Sequence, residues 1–192
     1  IRYRFARNPI CLFIIAPVVL FLIIHRLPKI DHRIKGIRAA HWTNLGILVV
    51  AALISSFIGL KAYLLIQLPV IMIAASAGVW LFYVQHQFED THWDREEEWD
   101  MHKAALEGSS HYDLPLILHW FSANIGIHHV HHLYSRIPFY RLQQIIKDYP
   151  ALSENQRLSV FESFASVKLH LWDETDRKLI SYKQLYQKYG EI

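Results

Sequence analysis

Cysteine is almost absent from this sequence, which contains a single one, Cys11, within an apolar run. One thiol excludes a disulfide framework within the chain and a zinc site built from several cysteines. Histidine, by contrast, is abundant, with 13 residues in a chain of 192. Any transition metal that the chain binds is therefore expected to be held by imidazole nitrogens.

Acidic residues are scarce in the first 84 positions, where the apolar residues concentrate, and most of them follow His86. This asymmetry predicts a membrane part, residues 1–84, followed by a polar cytoplasmic part, residues 85–192, rather than two soluble domains. The first residue, Ile1, is not a start methionine, and nothing after it is typical of a signal peptide. We expect the sequence to be a piece of a longer protein.

Basic residues form two clusters beside the apolar runs. The clusters are Arg2, Arg4 and Arg7, and then Arg26, Lys29, Arg33, Lys35 and Arg38. Short basic loops of this kind mark the cytoplasmic side of a membrane protein. The lipid bilayer is therefore the expected partner of these residues, and nucleic acid is not.

Residues 45–84 form a long apolar run that carries one charge, Lys61, near its middle. At about 1.5 Å per helical residue the run is roughly 60 Å long, enough for two crossings of a ~30 Å hydrocarbon core. We predict a transmembrane hairpin with helices at 45–60 and 62–84, Lys61 at its tip and Pro69 inside the second helix.

Residues 9–24 form a shorter apolar stretch that is interrupted by Pro17 and has basic residues at both ends. A helix of this length is too short to cross the hydrocarbon core, and positive charge on both sides is unfavourable for a single crossing. We predict an interfacial or re-entrant helix here.

The polar part contains amphipathic stretches and no strand-rich region. Pro138 is expected to open a helix that ends near Pro150, and Lys178–Tyr189 is helix-prone. The predicted fold class is an all-α integral membrane protein, with a transmembrane hairpin and a helical cytoplasmic cap.

Four histidines stand within five residues, at His128, His129, His131 and His132. On a helix, positions i, i+3 and i+4 share one face, so His128, His131 and His132 are expected to converge on one metal ion. His129 points about 100° away from His128 and is the weakest ligand candidate. The other interpretation, an exposed polar patch, is disfavoured because four such residues cluster here.

His86 follows the second predicted transmembrane helix, on the same side as the later cluster, and is a further ligand candidate. Glu89 and Asp90 follow it at i+3 and i+4, where their carboxylates are placed to accept a hydrogen bond from an imidazole. The other interpretation is an interfacial histidine with satisfied hydrogen bonds. Glu89-x-x-His92 also has the spacing of a soluble di-iron bundle, but that fold needs two such motifs.

The remaining histidines occur singly, and for these an interfacial or surface position is favoured over a ligand role. They are His25, His32, His41, His102, His111, His119 and His170.

Residues 120–138, WFSANIGIHHVHHLYSRIP, resemble the third histidine box of membrane fatty acid desaturases, with the closer likeness to bacterial enzymes of the delta-12/omega-6 acyl-lipid type. Residues 84–91, the tripeptide Glu98-Trp99-Asp100 and the stretch Leu171–Glu174 resemble other parts of the same group. The resemblance therefore covers nearly the whole chain.

The resemblance implies a site of two iron ions held by histidines from three boxes and one further position. His128, His131 and His132 match the third box, and His86 matches the further position. Supporting roles are expected for Asn124 and His129. The first two boxes, His-x-x-x-His and His-x-x-His-His, are absent before His86 and are expected upstream, so this piece alone should be inactive.

The implied activity is O2-dependent formation of a cis double bond in a fatty acyl chain. Electrons would come from a separate ferredoxin or cytochrome b5, and the expected location is a bacterial inner membrane, with the active site on the cytoplasmic side. Two rivals stay open: a related di-iron hydroxylase or ketolase acting on alkanes, sterols or carotenoids, and a histidine-rich membrane metal-binding protein. A metal conduit requires ionisable groups within the bilayer, and residues 45–84 offer only Lys61 and Gln67.

Overall fold

The computed structural model describes residues 2–26, 37–153 and 156–190, so the predicted cytoplasmic basic residues Lys29, Arg33 and Lys35 lie outside the described residues. The chain divides into two compact units, Ile1–Trp80 and Leu81–Ile192. Each unit is described by itself below.

The first unit is helical in its described residues. It begins with α1 (Arg2–Ala6) and a short apolar helical segment, Cys11–Ile24. Within this segment α2 (Ala16–Val19) lies between two π-helical turns, Cys11–Ile15 and Leu20–Ile24. Pro17, the second residue of α2, lies within this segment and has no N–H to donate to the helix. The placement of this segment at a membrane interface stays a prediction.

Two long apolar helices follow, α3 (Ile37–Ile58) and α4 (Leu60–Val84). Both are long and apolar enough to cross a membrane, with the apolar part of α3 at Ala39–Ile58. They are separated at Gly59, whose φ of +83° is a left-handed conformation that glycine adopts without steric cost. Lys61, which was predicted at the tip, lies in the first turn of α4.

The second unit combines short helices with two small sheets. Its elements in chain order are α5 (Met101–Glu107), β1 (His111–Asp113), α6 (Leu116–Phe121), α7 (His128–Leu133), a 3-10 turn (Phe139–Arg141), α8 (Leu142–Asp148), a 3-10 turn (Pro150–Ser153), β2 (Arg157–Ser159), α9 (Val160–Ser166), β3 (Leu171–Asp173), β4 (Lys178–Ile180) and α10 (Tyr182–Tyr189). The predicted helix after Pro138 is confirmed as α8 and the 3-10 turn before it.

The prediction of a helical fold throughout is wrong at the strands. β1 and β2 pair in parallel, with Tyr112 opposite Leu158, and β3 pairs with β4 in an antiparallel hairpin. The helix expected over Lys178–Tyr189 begins only at Tyr182, because its first residues pair with β3. The chain is nevertheless mainly helical, as expected.

An apolar cluster of the second unit packs against one side of α7. Ile127, Val130 and Leu142 are buried together and form an apolar cluster. Half-buried side chains pack around this cluster, namely Ile137, Ile145, Ile146 and Leu152. These apolar contacts hold the face of α7 that carries Val130. His128 and His132 lie on a different face of the helix.

Candidate metal centre

The start of α7 is fixed by the strand β1. The backbone N–H of Tyr112 donates to the carbonyl of Gly126 over 2.8 Å, and His111 forms an isolated bridge with Ile127. Gly126 is required here because a Cβ atom would lie 2.5 Å from the Tyr112 carbonyl oxygen. The backbone just before His128 is therefore held in a single position.

The side chain of Gln85 connects the end of α4 to the loop before α7. Gln85 is fully buried, and its Nε2 donates to the Ile125 carbonyl over 2.8 Å. The Gln85 carbonyl in turn accepts a hydrogen bond from the backbone N–H of Ser110 at 3.0 Å. These bonds hold His86, the next residue, beside α7.

Three imidazoles converge at this point: one ring nitrogen from each of His86, His128 and His132 lies within 4.8 Å of the others. The Nε2 atoms of His128 and His132 are 3.0 Å apart. The ring of His86 is centred 4.7 Å from that of His128 and 5.1 Å from that of His132. His86 lies 42 positions before His128 and 46 positions before His132, yet the three side chains meet. We call these three residues the histidine cluster.

His131 lies beside the histidine cluster rather than within it. Its ring centre is 5.7 Å from that of His128 and 6.0 Å from that of His132. The expectation that His128, His131 and His132 converge on one ion therefore differs from the structure, in which His86 takes the third place. The helix explains the difference, because His128 and His132 are about 40° apart around its axis and His131 is about 100° from His132.

The environment of the cluster keeps its imidazoles neutral. Burial, followed by repulsion from His132 and His86, lowers the pKa of His128 to about 3. Burial and the neighbouring His132 lower the pKa of His86 to about 4. The pKa of His132 is also lowered, by burial and then by His131. A neutral imidazole is the form that binds a metal ion.

The spacing of the His128 and His132 nitrogens fits a transition-metal ion. Two ring nitrogens that are each about 2.1 Å from one ion, at right angles to each other, are about 3.0 Å apart, which is the separation of the His128 and His132 Nε2 atoms. The Nδ1 atoms of His86 and His128 are buried and have no hydrogen-bond partner among the described residues. Buried polar atoms without partners are costly, and at His86 coordination of a metal through Nδ1 would supply the missing partner. His128 faces His132 through Nε2, so its Nδ1 would not bind the same ion.

The residues expected to support the ligands have other partners. Glu89 is exposed, and its carboxylate pairs with Lys178 over 3.2 Å. Asp90 is exposed as well. Neither carboxylate reaches the Nδ1 atom of His86, which has no partner among the residues described. The predicted hydrogen bond from His86 to these carboxylates is therefore not present.

Asn124 and His129 also face away from the histidine cluster. The Asn124 side chain donates to the Phe139 carbonyl and accepts from Gln143, and its φ of +56° is left-handed. His129 is fully buried, and its Nε2 lies 2.8 Å from the Leu152 carbonyl. Both residues thus brace the segments before and after α7 without contacting the three converging rings.

Two histidines that were expected at an interfacial or surface position, His111 and His119, are buried. The rings of His111 and His129 are tilted by 32° with their centres 5.4 Å apart, and burial is the main cause that lowers the pKa of His111 to about 4. His119 is buried against Gly126 on the inner side of α6. Each occurs singly in the sequence, without a periodic pattern that would predict burial, and His111 lies in β1, which pairs with β2.

A family model for fatty acid desaturases matches residues 2–164 of this chain. The chain is also 40% identical, over 185 residues, to a protein of Bacillus subtilis (strain 168) named fatty acid desaturase. That alignment covers 96% of this chain and 53% of the relative, so the chain spans about half the length of the curated relative that it matches. No solved structure matches the chain significantly. The family match covers the histidine cluster together with both long apolar helices, and the chain belongs to the fatty acid desaturase family.

Proposed function

We propose that this chain forms part of a membrane desaturase that introduces a cis double bond into a fatty acyl chain in an O2-dependent reaction. The observation that carries the proposal is the convergence of His86 with His128 and His132, two of the three histidines that match the third box. Membership of the desaturase family supports oxidoreductase activity on a fatty acyl substrate.

The histidine cluster would hold one of two iron ions, and His131, which lies beside it, would contribute to the second. The remaining ligands would come from another part of a longer protein, in keeping with a relative about twice the length of this chain. When bound, the iron pair would activate O2 and remove one hydrogen from each of two adjacent methylene groups.

The chain's own residues prepare the site for that chemistry. Burial keeps the imidazoles of His86 and His128 neutral, so that their nitrogens can bind a cation without first losing a proton. The apolar cluster behind α7, with Ile127 and Val130 at its centre, excludes water from one side of the helix. No side chain of the chain is required as a nucleophile.

We further propose that α3 and α4 cross a lipid bilayer as a hairpin and that the second unit lies on the cytoplasmic side of a bacterial inner membrane. The length and apolar composition of both helices support this location. An acyl substrate would then be drawn from the same bilayer. Ferredoxin or cytochrome b5 would supply the electrons as a separate donor protein.

The proposal is tested with the full-length protein in a bacterial host that lacks desaturases. Growth in air should yield fatty acids with a new cis double bond, and anaerobic growth should not. Replacement of His131 by Ala should abolish the product, and the variant should bind less iron than the unmodified protein. His102→Ala removes an exposed histidine of α5 and is the matched control.

Three outcomes would contradict the proposal. A hydroxylated or ketone product would point to the related oxygenase reaction. Metal binding with no change in fatty acid composition would favour a metal-binding protein. Normal turnover by His131→Ala with a normal iron content would remove His131 from the site.

A further inference from the structure

Helices α6 and α9 of the second unit bury polar side chains and expose large apolar ones, which is the reverse of the usual arrangement in a soluble protein. On α9, Ser163 is 0% exposed, whereas Phe161 is 87% and Phe164 is 58% exposed. On α6, His119 is the buried residue, while Trp120 is 76% exposed. Soluble proteins bury large apolar side chains and expose polar ones, so this reversed order indicates that the outer surface of these helices meets an apolar environment.

The two helices begin at the same edge of one sheet. β1 and β2 are parallel, with Asp113 opposite Ser159, and α6 and α9 follow the carboxyl ends of these strands. Their first exposed apolar side chains therefore lie at one edge of the unit. We call the large exposed apolar side chains of both helices the apolar face, which comprises Leu116, Ile117, Leu118, Trp120, Phe121, Phe161 and Phe164. Glu162 of α9 is also exposed, and its carboxylate is bonded to Ser159 in the capping box at the start of the helix.

The inner side of α9 is bonded to the last turn of α4. The hydroxyl of Tyr83 lies 3.2 Å from the carbonyl oxygens of Ser166 and Leu169. Phe82, beside it on the same turn, is 64% exposed. Helix α9 is thus in direct contact with the last turn of α4, a helix that is long and apolar enough to cross a membrane.

The chemistry of the apolar face favours lipid over a protein partner. The exposed side chains of α6 carry no charge, and the indole N–H of Trp120 is their one hydrogen-bonding group. A protein interface of moderate size requires about one hydrogen bond per 100–200 Å². Tryptophan, phenylalanine and leucine beside the end of a membrane span are typical of a surface that enters the boundary between headgroups and acyl chains.

We propose that the apolar face of α6 and α9 inserts into the bilayer at the boundary between headgroups and acyl chains. This inference rests on the proposed crossing of the membrane by α3 and α4. It assigns a membrane contact to the unit that carries the histidine cluster, in addition to the contact made by the two long helices. The ligand is the bilayer surface itself.

Spin labels at single cysteines test this inference in the 192-residue chain reconstituted in vesicles of phosphatidylethanolamine and phosphatidylglycerol. Cys11→Ser provides the background, Ile117→Cys and Phe161→Cys report on the apolar face, and two reference labels complete the set. Val50→Cys, in the middle of α3, is the lipid reference, and Gln187→Cys, on the exposed side of α10, is the aqueous reference. Collisions of each label with O2 and with chromium oxalate are measured by power saturation.

We expect the labels at Ile117 and Phe161 to collide with O2 more often than with chromium oxalate, as at Val50, and Gln187 to show the reverse order. An aqueous result at Ile117 and Phe161 alone would overturn the inference. Protection of both from both reagents would also overturn it, because the face would then be covered by protein. An aqueous result at Val50 would instead overturn the proposed membrane crossing, and the inference with it.

A second measurement does not depend on labels. Brominated lipids should quench part of the tryptophan fluorescence of the unmodified chain, and Trp120→Phe should remove a share of that quenching. Trp99→Phe, which removes an exposed tryptophan from the acidic loop before α5, is the matched control. Equal quenching in the Trp120→Phe variant and the unmodified chain would contradict insertion.

Discussion

The Nε2 atoms of His128 and His132 lie 3.0 Å apart on one face of α7. Burial lowers the pKa of both imidazoles, which favours their uncharged form. Two neutral nitrogens at this separation, with His86 beside them, are arranged to bind the same cation. His131 is one residue from His132 in sequence but occupies a different position, so the two histidines should behave differently when replaced.

The first prediction is that replacing His132 weakens metal binding by the 192-residue chain more than replacing His131 does. The chain should bind at most one Fe²⁺ under anaerobic conditions, because the ligands of the second ion are incomplete. His132→Ala should weaken that binding by more than about 100-fold, beyond the usual effect of losing an outer partner. His131→Ala should have a smaller effect, and His102→Ala none. The measurement is an anaerobic Fe²⁺ titration, and two tightly bound ions per chain, or equal losses in both variants, would contradict the assignment.

The second prediction concerns Gln85, which positions His86 and is not itself a proposed metal ligand. Gln85→Leu keeps the approximate volume but removes the donor to the Ile125 carbonyl, which is then left without that bond. We expect about tenfold weaker Fe²⁺ binding and a loss of ~1–3 kcal/mol in the free energy of unfolding. Gln187→Leu, on the exposed side of α10, is the control and should change neither quantity. Unchanged metal affinity in Gln85→Leu would show that His86 is held by other contacts.

The third prediction is a pH dependence that arises at His111. Its pKa in the folded chain is about 4, so between about pH 6.5 and pH 4 the unfolded chain binds a proton that the folded chain does not. Stability should therefore fall as the pH is lowered through this window, with a contribution from His111 of at most ~3 kcal/mol. His111→Phe keeps a ring beside His129 and should show a smaller drop in melting temperature from pH 7 to pH 5. His102→Phe should retain the full drop, and an equal drop in both variants would exclude His111 as the source.

Much of this architecture can be predicted from the sequence because the signals are local. Two apolar runs separated by a break predict the two long helices, and the spacing of the cluster predicts that His128 and His132 share a helix face. The sequence offers two positions for the break, since a charged residue, Lys61, and a glycine, Gly59, stand two positions apart. Gly59 forms the break because it adopts a positive φ without strain, whereas Lys61 is readily accommodated in a helix.

The parts that could not be predicted depend on contacts between distant residues. β1 and β2 have three residues each and lie more than 40 positions apart, so neither has a periodic pattern long enough to indicate a strand. Their pairing is what buries His111. The choice of His86 rather than His131 as third member of the histidine cluster likewise depends on the bond from Gln85 to the loop before α7.

The last prediction concerns Gly126, the residue that sets the approach of α7 to β1. A Cβ atom at this position would lie 2.5 Å from the Tyr112 carbonyl oxygen and 3.1 Å from Cε1 of His119. The first of these contacts is with backbone that is itself bonded to Gly126, so it cannot be relieved by rotation of a side chain. Gly126→Ala should therefore displace the start of α7, with a destabilisation of ~1–3 kcal/mol and a loss of Fe²⁺ affinity.

Gly46→Ala is the matched control, since no heavy atom lies within 4 Å of the added Cβ and the position is inside α3. That variant should be neutral or stabilised by about 0.5–1 kcal/mol, because alanine favours a helix interior over glycine. The comparison requires melting temperatures and Fe²⁺ titrations for both variants, and equal behaviour of the two would show that the close approach of Gly126 to Tyr112 does not control the position of the histidine cluster.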